Sequence, residues 1–482
     1  MTEYINAFPG YEYKKLEDGS FHNMYRGVDL GKGGWVYSEP GIYSNVALLD
    51  VASMHPASIV ALNKLGKYTQ RYADLRQARV YIKHGDFEAC SKLFDGKLSK
   101  YLEDKKEAKA LSKALKLPCN AFFGISFATF PNPARDSRDV NNIIALRGAL
   151  FMKTLFDEIA KRGFKVIHNK TDSCKIPNAT LEIIQFVQDF AQKYGYEMEH
   201  EATYERMCLI DKAQYVAAYM RPEDCQERYG YIPGDNKDHF EVHDYPWTTT
   251  GDEFQRPYIF KTLFSGEPIF FRDLCAKKSV RGAAIYLDDN ENCPNVDIFE
   301  KELSRRKNNL NKPDKPLKLN PNLADLSNED LEAEIAKGHN YQFIGRVGRF
   351  CPLKPGTGGG RLMVYRNGKY DAVSGSKGYL WQEAELVKAF HKEDCIDRRY
   401  YDDLAAKAIA AINQFGEHAY DRFVDLSKPY ISEPKPVSHV EDYSVVPCGD
   451  GKYNSCMDCP CCKGDICTRG YSLTNYVDEL PF

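Results

Sequence analysis

Three tryptophans in 482 residues, a net charge of only −3, and no uninterrupted stretch of 18 apolar residues: these shortages narrow what the chain can be. Without a long apolar run, no transmembrane helix is expected. No apolar segment follows a basic start, so no secretory leader is expected either. A near-zero net charge argues against a protein that simply coats nucleic acid. The cysteines do not form a disulfide framework. Nine of the 15 are scattered singly and six crowd into residues 448–467, which predicts a reducing, cytoplasmic setting. The length allows two to four domains with a sizeable core.

What is present is uneven. Residues 61–116 hold 14 Lys/Arg against 7 Asp/Glu. Such a basic module suits a polyanion held in one groove, although a solvated helical face would show the same excess. Arg79 and Lys83 are four apart and share a helix face. Lys106, Lys109, Lys113 and Lys116 form one basic stripe on a helix from about Asp104. Lys116, Asn120 and Phe123 lie along one side of a helix expected to end near Gly124, with Pro118 kinking or interrupting it. Cation, amide and aromatic in succession suit a nucleotide.

The organising stretch is Asn45-Val46-Ala47-Leu48-Leu49-Asp50-Val51-Ala52-Ser53-Met54-His55-Pro56, an apolar strand running into one carboxylate. A second carboxylate, Asp172, sits in Ile167-His168-Asn169-Lys170-Thr171-Asp172-Ser173. The periodicity predicts a helix over 141–162, a strand over 164–168, a turn at 169–172, a return strand over 173–176, a helix over 180–194, and strands at 207–210 and 215–219. With the Asp50 strand the order is β-α-β-β-α-β, an α+β, ferredoxin-like unit with 61–124 inserted after the first strand. That topology brings the Asp50 strand end to the Asp172 turn. Two neighbouring carboxylates beside a basic helical module predict metal-assisted nucleotidyl transfer.

Three ordered motifs resemble those of family B DNA polymerases, phage enzymes in particular. Asp50-Val51-Ala52-Ser53-Met54-His55-Pro56 is similar to Asp-x-x-Ser-Leu-Tyr-Pro. Lys116 to Gly124 is similar to Lys-x-x-x-Asn-Ser-x-Tyr-Gly, and His168 to Ser173 to Tyr-Gly-Asp-Thr-Asp-Ser. The resemblance spans about residues 30–220. It implies a palm at 41–60 and 125–225, fingers at 61–124, an N-terminal template-contacting segment at 1–40, and a mixed helical/β thumb and C-terminal region at 226–435. It also implies that Asp50 and Asp172, assisted by the Val51 carbonyl, bind two Mg2+ ions, with Mn2+ as a substitute. Arg79, Lys83, Lys116, Asn120, Phe123, Ser53 and His55 would meet the incoming dNTP. Gly33, Gly34, Lys170, Thr171, Lys212 and Tyr215 would meet primer–template DNA.

The chain departs from the family pattern at named places. Lys170 stands where the first aspartate of Asp-Thr-Asp is usual, His55 replaces the tyrosine that excludes a ribose 2′-hydroxyl, and Ala121 and Phe123 replace Ser and Tyr. Only 49 residues precede Asp50, too few for the family's 3′–5′ exonuclease. The expectation is a split enzyme whose nuclease is a separate chain, working in a bacterial host cytoplasm if the origin is a phage. A non-catalytic primer–template-binding subunit is the competing expectation.

Farther along, Asn308 to Asn322 reads as a linker, and Gly356 to Gly360 as a turn, because the strand-like Arg361-Leu362-Met363-Val364 follows it. Residues 383–425 read as helical. Cys448, Cys456, Cys459, Cys461, Cys462 and Cys467, in the tail at 436–482, suit zinc by spacing, or an iron–sulfur cluster.

Overall fold

The apolar run that ends at Asp50 is an eleven-residue strand, Gly41–Val51, in the computed structural model. The structure describes residues 8–128, 130, 142–289, 296–310 and 323–428, with three two-residue strands beyond 461. The chain divides into two units. One comprises Met1–Ala213, Ala217–Thr248 and Phe415–Phe482, the other Gln214–Val216 and Thr249–Gln414.

In the first unit, β1 (Tyr11–Lys15), β2 (Phe21–Tyr25) and β3 (Val28–Asp29) form a small antiparallel sheet. Then come β4 (Val36–Ser38), β5 (Gly41–Val51), and the helices α1 (Met54–Ala61), α2 (Thr69–His84), α3 (Phe87–Ser91), α4 (Lys105–Phe127) and α5 (Ile143–Lys161). After them follow β6 (His168–Lys170), β7 (Ser173–Pro177), α6 (Leu181–Lys193), β8 (Met198–Leu209), β9 (Tyr215–Tyr219), α7 (Pro222–Tyr229), α8 (Gly234–Val242) and β10 (Trp247–Thr250). The large sheet runs β10-β9-β8-β5-β7-β6-β4. Its antiparallel centre, β8-β5-β7-β6, has the split βαββαβ strand order.

Alternation on β5 explains the layering. Ala47, Leu49 and Val51 join one core with Cys174 and Ile176 of β7, Leu150 and Phe151 of α5, and Ile183 and Val187 of α6. Both crossover helices therefore cover one face of the sheet. Asp50, between Leu49 and Val51, points from the other face, because successive side chains on a strand alternate.

Several local expectations change. The strand expected over 164–168 starts only at His168, although Ile167 still donates to the Lys175 carbonyl (3.0 Å). Residues 198–206, unread in the sequence, are the first three quarters of β8. Pro118 lies inside α4, which continues past Gly124 to Phe127. A proline costs one helical hydrogen bond. The Tyr72 hydroxyl, donating to the neighbouring Cys119 carbonyl at 2.9 Å, ties this part of α4 to α2.

The second unit contains α9 (Pro257–Phe260), β11 (Ala276–Ser279), β12 (Ile285–Asp288), α10 (Val296–Leu310), α11 (Asn328–Gly338), β13 (Tyr341–Gly345), β14 (Val347–Leu353), β15 (Arg361–Arg366), β16 (Lys369–Ala372), β17 (Leu380–Glu383), α12 (Ala384–Ala389) and α13 (Arg399–Asn413). Its strands make two sheets, β11-β14-β17 and β13-β12-β15-β16. The expected linker from Asn308 begins inside α10; residues 311–322 lie outside the described residues. The glycine-rich stretch turns β14 into β15. A Cβ on Gly360 would lie 2.4 Å from the Asp288 carbonyl oxygen, so close backbone approach accounts for that glycine. The chain re-enters the first unit at Phe415 and forms α14 (Ala419–Val424). There the buried Arg206 of β8 donates to the carbonyls of Arg422 (3.0 Å), Phe423 (3.3 Å), Asp425 (2.7 Å) and Lys428.

Candidate active site

The end of β5 is joined to the β6–β7 turn by backbone hydrogen bonds. Asp50 is the cross-strand partner of Ser173 on one side and of Glu199 on the other. The Val51 N–H donates to the Asp172 carbonyl at 2.9 Å. The turn itself is tight: Thr171 has φ 59°, its N–H donates to the Trp35 carbonyl (3.1 Å), and the Asp172 N–H donates to the Lys170 carbonyl (2.7 Å). Gly34, at φ 134°, lets this turn approach, since a Cβ there would stand 2.8 Å from Thr171 Cγ2. Ser53 also takes a left-handed conformation (φ 61°) as β5 gives way to α1.

A cleft of about 430 Å3 opens here, lined on one side by Asp50, Val51, Ser53, His55 and Asp172. From α2 and α4 it receives Arg79, Lys83, Ser112, Lys116 and Asn120. Ser112, Lys116 and Asn120 are spaced by four and so share one helix face. Arg79 Nη1 donates to Ser53 Oγ at 3.0 Å. The neighbouring Arg76 holds the loop from below, Nη2 donating to the Ala52 carbonyl at 3.1 Å. The His55 ring lies on Phe123, centroids 4.1 Å apart and planes 10° from parallel. Burial pushes the His55 pKa down, favouring the neutral ring.

The cleft is rich in acid. Burial, followed by the charges of Asp172 and Glu201, pushes the Asp50 pKa up to about 8. Burial also raises that of Asp172. Glu199 and Glu201 complete the acidic wall, and sequence reasoning missed both. Their signal was present: acids at 197, 199 and 201 recur at the strand period of two. A β-bulge gives Glu201 its place, because Leu48 pairs with Ala202 and Leu49 with His200, leaving Glu201 as the extra residue. Lys83 Nζ bridges the two acids, 2.5 Å from Glu199 and 3.0 Å from Glu201. Burial works against its charge, but those partners outweigh burial and raise its pKa. Among the described residues, His84, Glu197 and Glu199 also bring three donor atoms within 4.8 Å of one another, at a more exposed place.

Other sequence candidates lie outside the cleft lining. Phe123 meets the cleft lining through its stack on the His55 ring. Gly33 precedes Gly34 in the segment that meets the turn. Lys170 ends β6 with an exposed side chain. The Lys212 carbonyl faces His168 Nε2 at 3.3 Å, and Tyr215 opens β9. Cys448, Cys456, Cys459 and Cys461 lie outside the described residues. Cys462 and Cys467 are partners across a two-residue ladder.

No family model matches the chain. Over 204 residues it is 24% identical to a protein named DNA polymerase 2 from Aeropyrum pernix, a stretch covering 37% of this chain and 25% of that one. Among solved structures it is similar to the family B DNA polymerase of the hyperthermophilic archaeon Pyrobaculum calidifontis. That match has 12% identity and a TM-score of 0.35, over 86% of this chain and 48% of the other. The chain thus spans a quarter of the curated relative and about half of the solved structure. Both likenesses are to DNA polymerases, the second by name to family B. Among the described residues, no helix is long and apolar enough to cross a membrane.

Proposed function

We propose that this chain is the catalytic core of a template-directed DNA polymerase of family B, a nucleotidyltransferase that extends a primer 3′-hydroxyl with dNTPs. The observation that carries the reading is the convergence of Asp50 and Asp172 with Arg79, Lys83, Lys116 and Asn120 on one cleft. The partial identity to a protein named as a DNA polymerase supports it. On this reading the large sheet is the palm, 61–124 the fingers and the second unit the thumb, a region that grips product duplex through its phosphates.

The donor set fits Mg2+ or Mn2+. Asp50, Asp172 and the Val51 carbonyl offer only oxygen, and the local excess of carboxylate suits a divalent ion. Two such ions, when bound, supply neutralisation of triphosphate charge and a lowered pKa at the attacking hydroxyl. The rest falls to the chain's own groups. Arg79, Lys83 and Lys116 bind the triphosphate, Lys83 exchanging its carboxylate partners for phosphate oxygens. Asn120 and the His55–Phe123 stack line the nascent pair, with His55 placed to exclude a ribose 2′-hydroxyl. Gly33, Gly34, Lys170, Thr171, Lys212 and Tyr215 track primer–template. A phage origin and a zinc or iron–sulfur site in the tail complete the proposal.

Primer extension with Mg2+ or Mn2+, run beside Asp172→Ala, tests this. Templated extension by the wild type and none by the variant supports it. Intact primer–template binding without extension favours the non-catalytic subunit, for which Lys170 in place of an acid is the motive.

A further inference from the structure

The sheet β13-β12-β15-β16 has two unlike faces. Ile285 and Leu287 of β12 and Leu362 and Val364 of β15 are buried, so one face belongs to the core. The cross-strand register puts Phe343 and Met363 on either side of Tyr286, and Tyr341 opposite Asp288, on the other face. Tyr365 and Tyr370 face each other at its far edge. This second face is paved with rings. Tyr341 and Tyr370 stack with centroids 3.6 Å apart and planes within 6°. Tyr286 stands edge-on to Tyr370 (5.3 Å) and to Phe343 (5.7 Å).

The rings at one end are open. Phe343 is 67% exposed and Tyr365 46%. Rings that make little use of burial are weakly explained by folding. The same end gathers cations. The Val280 N–H donates to the Arg346 carbonyl (3.0 Å), so the chain at Arg281 runs beside Arg346, and Arg366, on the side of β15 that carries Leu362 and Val364, donates from Nη2 to the Arg281 carbonyl (3.3 Å). All three are exposed. The nearby Asp371 is paired with Lys369 at 3.1 Å. Open rings beside guanidinium groups suit a ligand with flat faces and regularly spaced negative charge. A duplex hides its base faces in the stack, whereas a single strand presents them.

We propose that this face binds single-stranded DNA, with bases stacking on Phe343 and Tyr365 and phosphates meeting Arg281 and Arg346. The site lies wholly within the second unit and does not depend on what the cleft catalyses.

The test uses the full chain and an oligothymidine carrying 5-iododeoxyuridine, cross-linked by ultraviolet light and mapped by mass spectrometry. Adducts on the peptides holding Phe343 or Tyr365 are expected. The double variant Phe343→Leu/Tyr365→Leu keeps apolar surface but removes the rings; it should lose those adducts and bind labelled oligothymidine about tenfold more weakly by anisotropy. Phe343→Trp/Tyr365→Trp should restore both. Adducts confined to other peptides, or unchanged affinity in the Leu variant, would overturn the proposal. An oligouridine arm separates DNA from RNA, and stronger cross-linking of the RNA would overturn the choice of DNA. Extension of a primer with a one-nucleotide template overhang should be unchanged in the Leu variant. Ring adducts in a chain that extends no primer would sink the polymerase reading and leave this one standing.

Discussion

In the cleft beside Asp50, charge is concentrated and partly withdrawn from water. Four carboxylates share it with a few cations, and the Asp50 pKa is pushed up to about 8. On the open sheet face of the second unit, rings that a core would bury stand in solvent, and the cations beside them are exposed. One region stores electrostatic energy and the other leaves apolar surface free. The first arrangement suits bond-making, where a bound cation relieves the repulsion. The second suits a grip that forms and releases without chemistry.

The sharpest way to break the contrast is to remove the acid. Asp172→Ala or Asp50→Ala should lower the extension rate by roughly 10³-fold or more, about 4 kcal/mol of barrier, while primer–template affinity, read by anisotropy, changes little. Next is a core ring of the second unit. Trp381 is fully buried and its Nε1 donates to the Ser376 carbonyl at 2.9 Å. Trp381→Ala should cost about 3–5 kcal/mol in urea unfolding of that unit, a loss the exposed Phe343→Leu does not share.

pH separates the units further. His200 has both ring nitrogens engaged, Nδ1 with Tyr231 Oη at 2.8 Å and Nε2 with Thr203 Oγ1 at 2.9 Å. Burial pushes its pKa down to about 4. The unfolded chain binds the proton first as pH falls below about 6.5. The contribution of His200, at most about 3 kcal/mol, is therefore complete above that pH and is lost as pH falls toward 4. Urea titrations of wild type and His200→Asn should converge over that window. A smaller effect is expected for Lys116→Ala, which should raise the dNTP concentration for half-maximal rate about tenfold with less change in kcat. Smallest is Lys170→Asp, expected to alter the extension rate by about threefold or less, because the Lys170 side chain is exposed outside the cleft lining.

The sequence was readable where apolar periodicity was clean. β5, α5 and α6 bury one regular face, and the order they impose brings the Asp172 turn to Asp50. Most of β8 was missed because Glu199 and Glu201 put charge where a core strand usually carries apolar side chains, and a bulge then breaks the alternation. Pro118 misled because α4 tolerates a proline that local rules exclude. The second unit resisted reading for another reason. Its strands are short, and β12 pairs with β13 and β15, tens of residues away, so no local pattern announces either neighbour. The ring-bearing face becomes visible only once that register is known.

The Arg206 clamp also has a consequence in time. Its guanidinium is buried against carbonyls that lie 216–222 residues farther along the chain. A ribosome adding roughly 5–20 residues per second needs about 10–40 s to deliver them. Until then β8 carries a cation with none of those acceptors, and the large sheet cannot reach its final state. The second unit, synthesised wholly within that interval, has the chance to fold first, so the part of the protein that contains the acids is completed last.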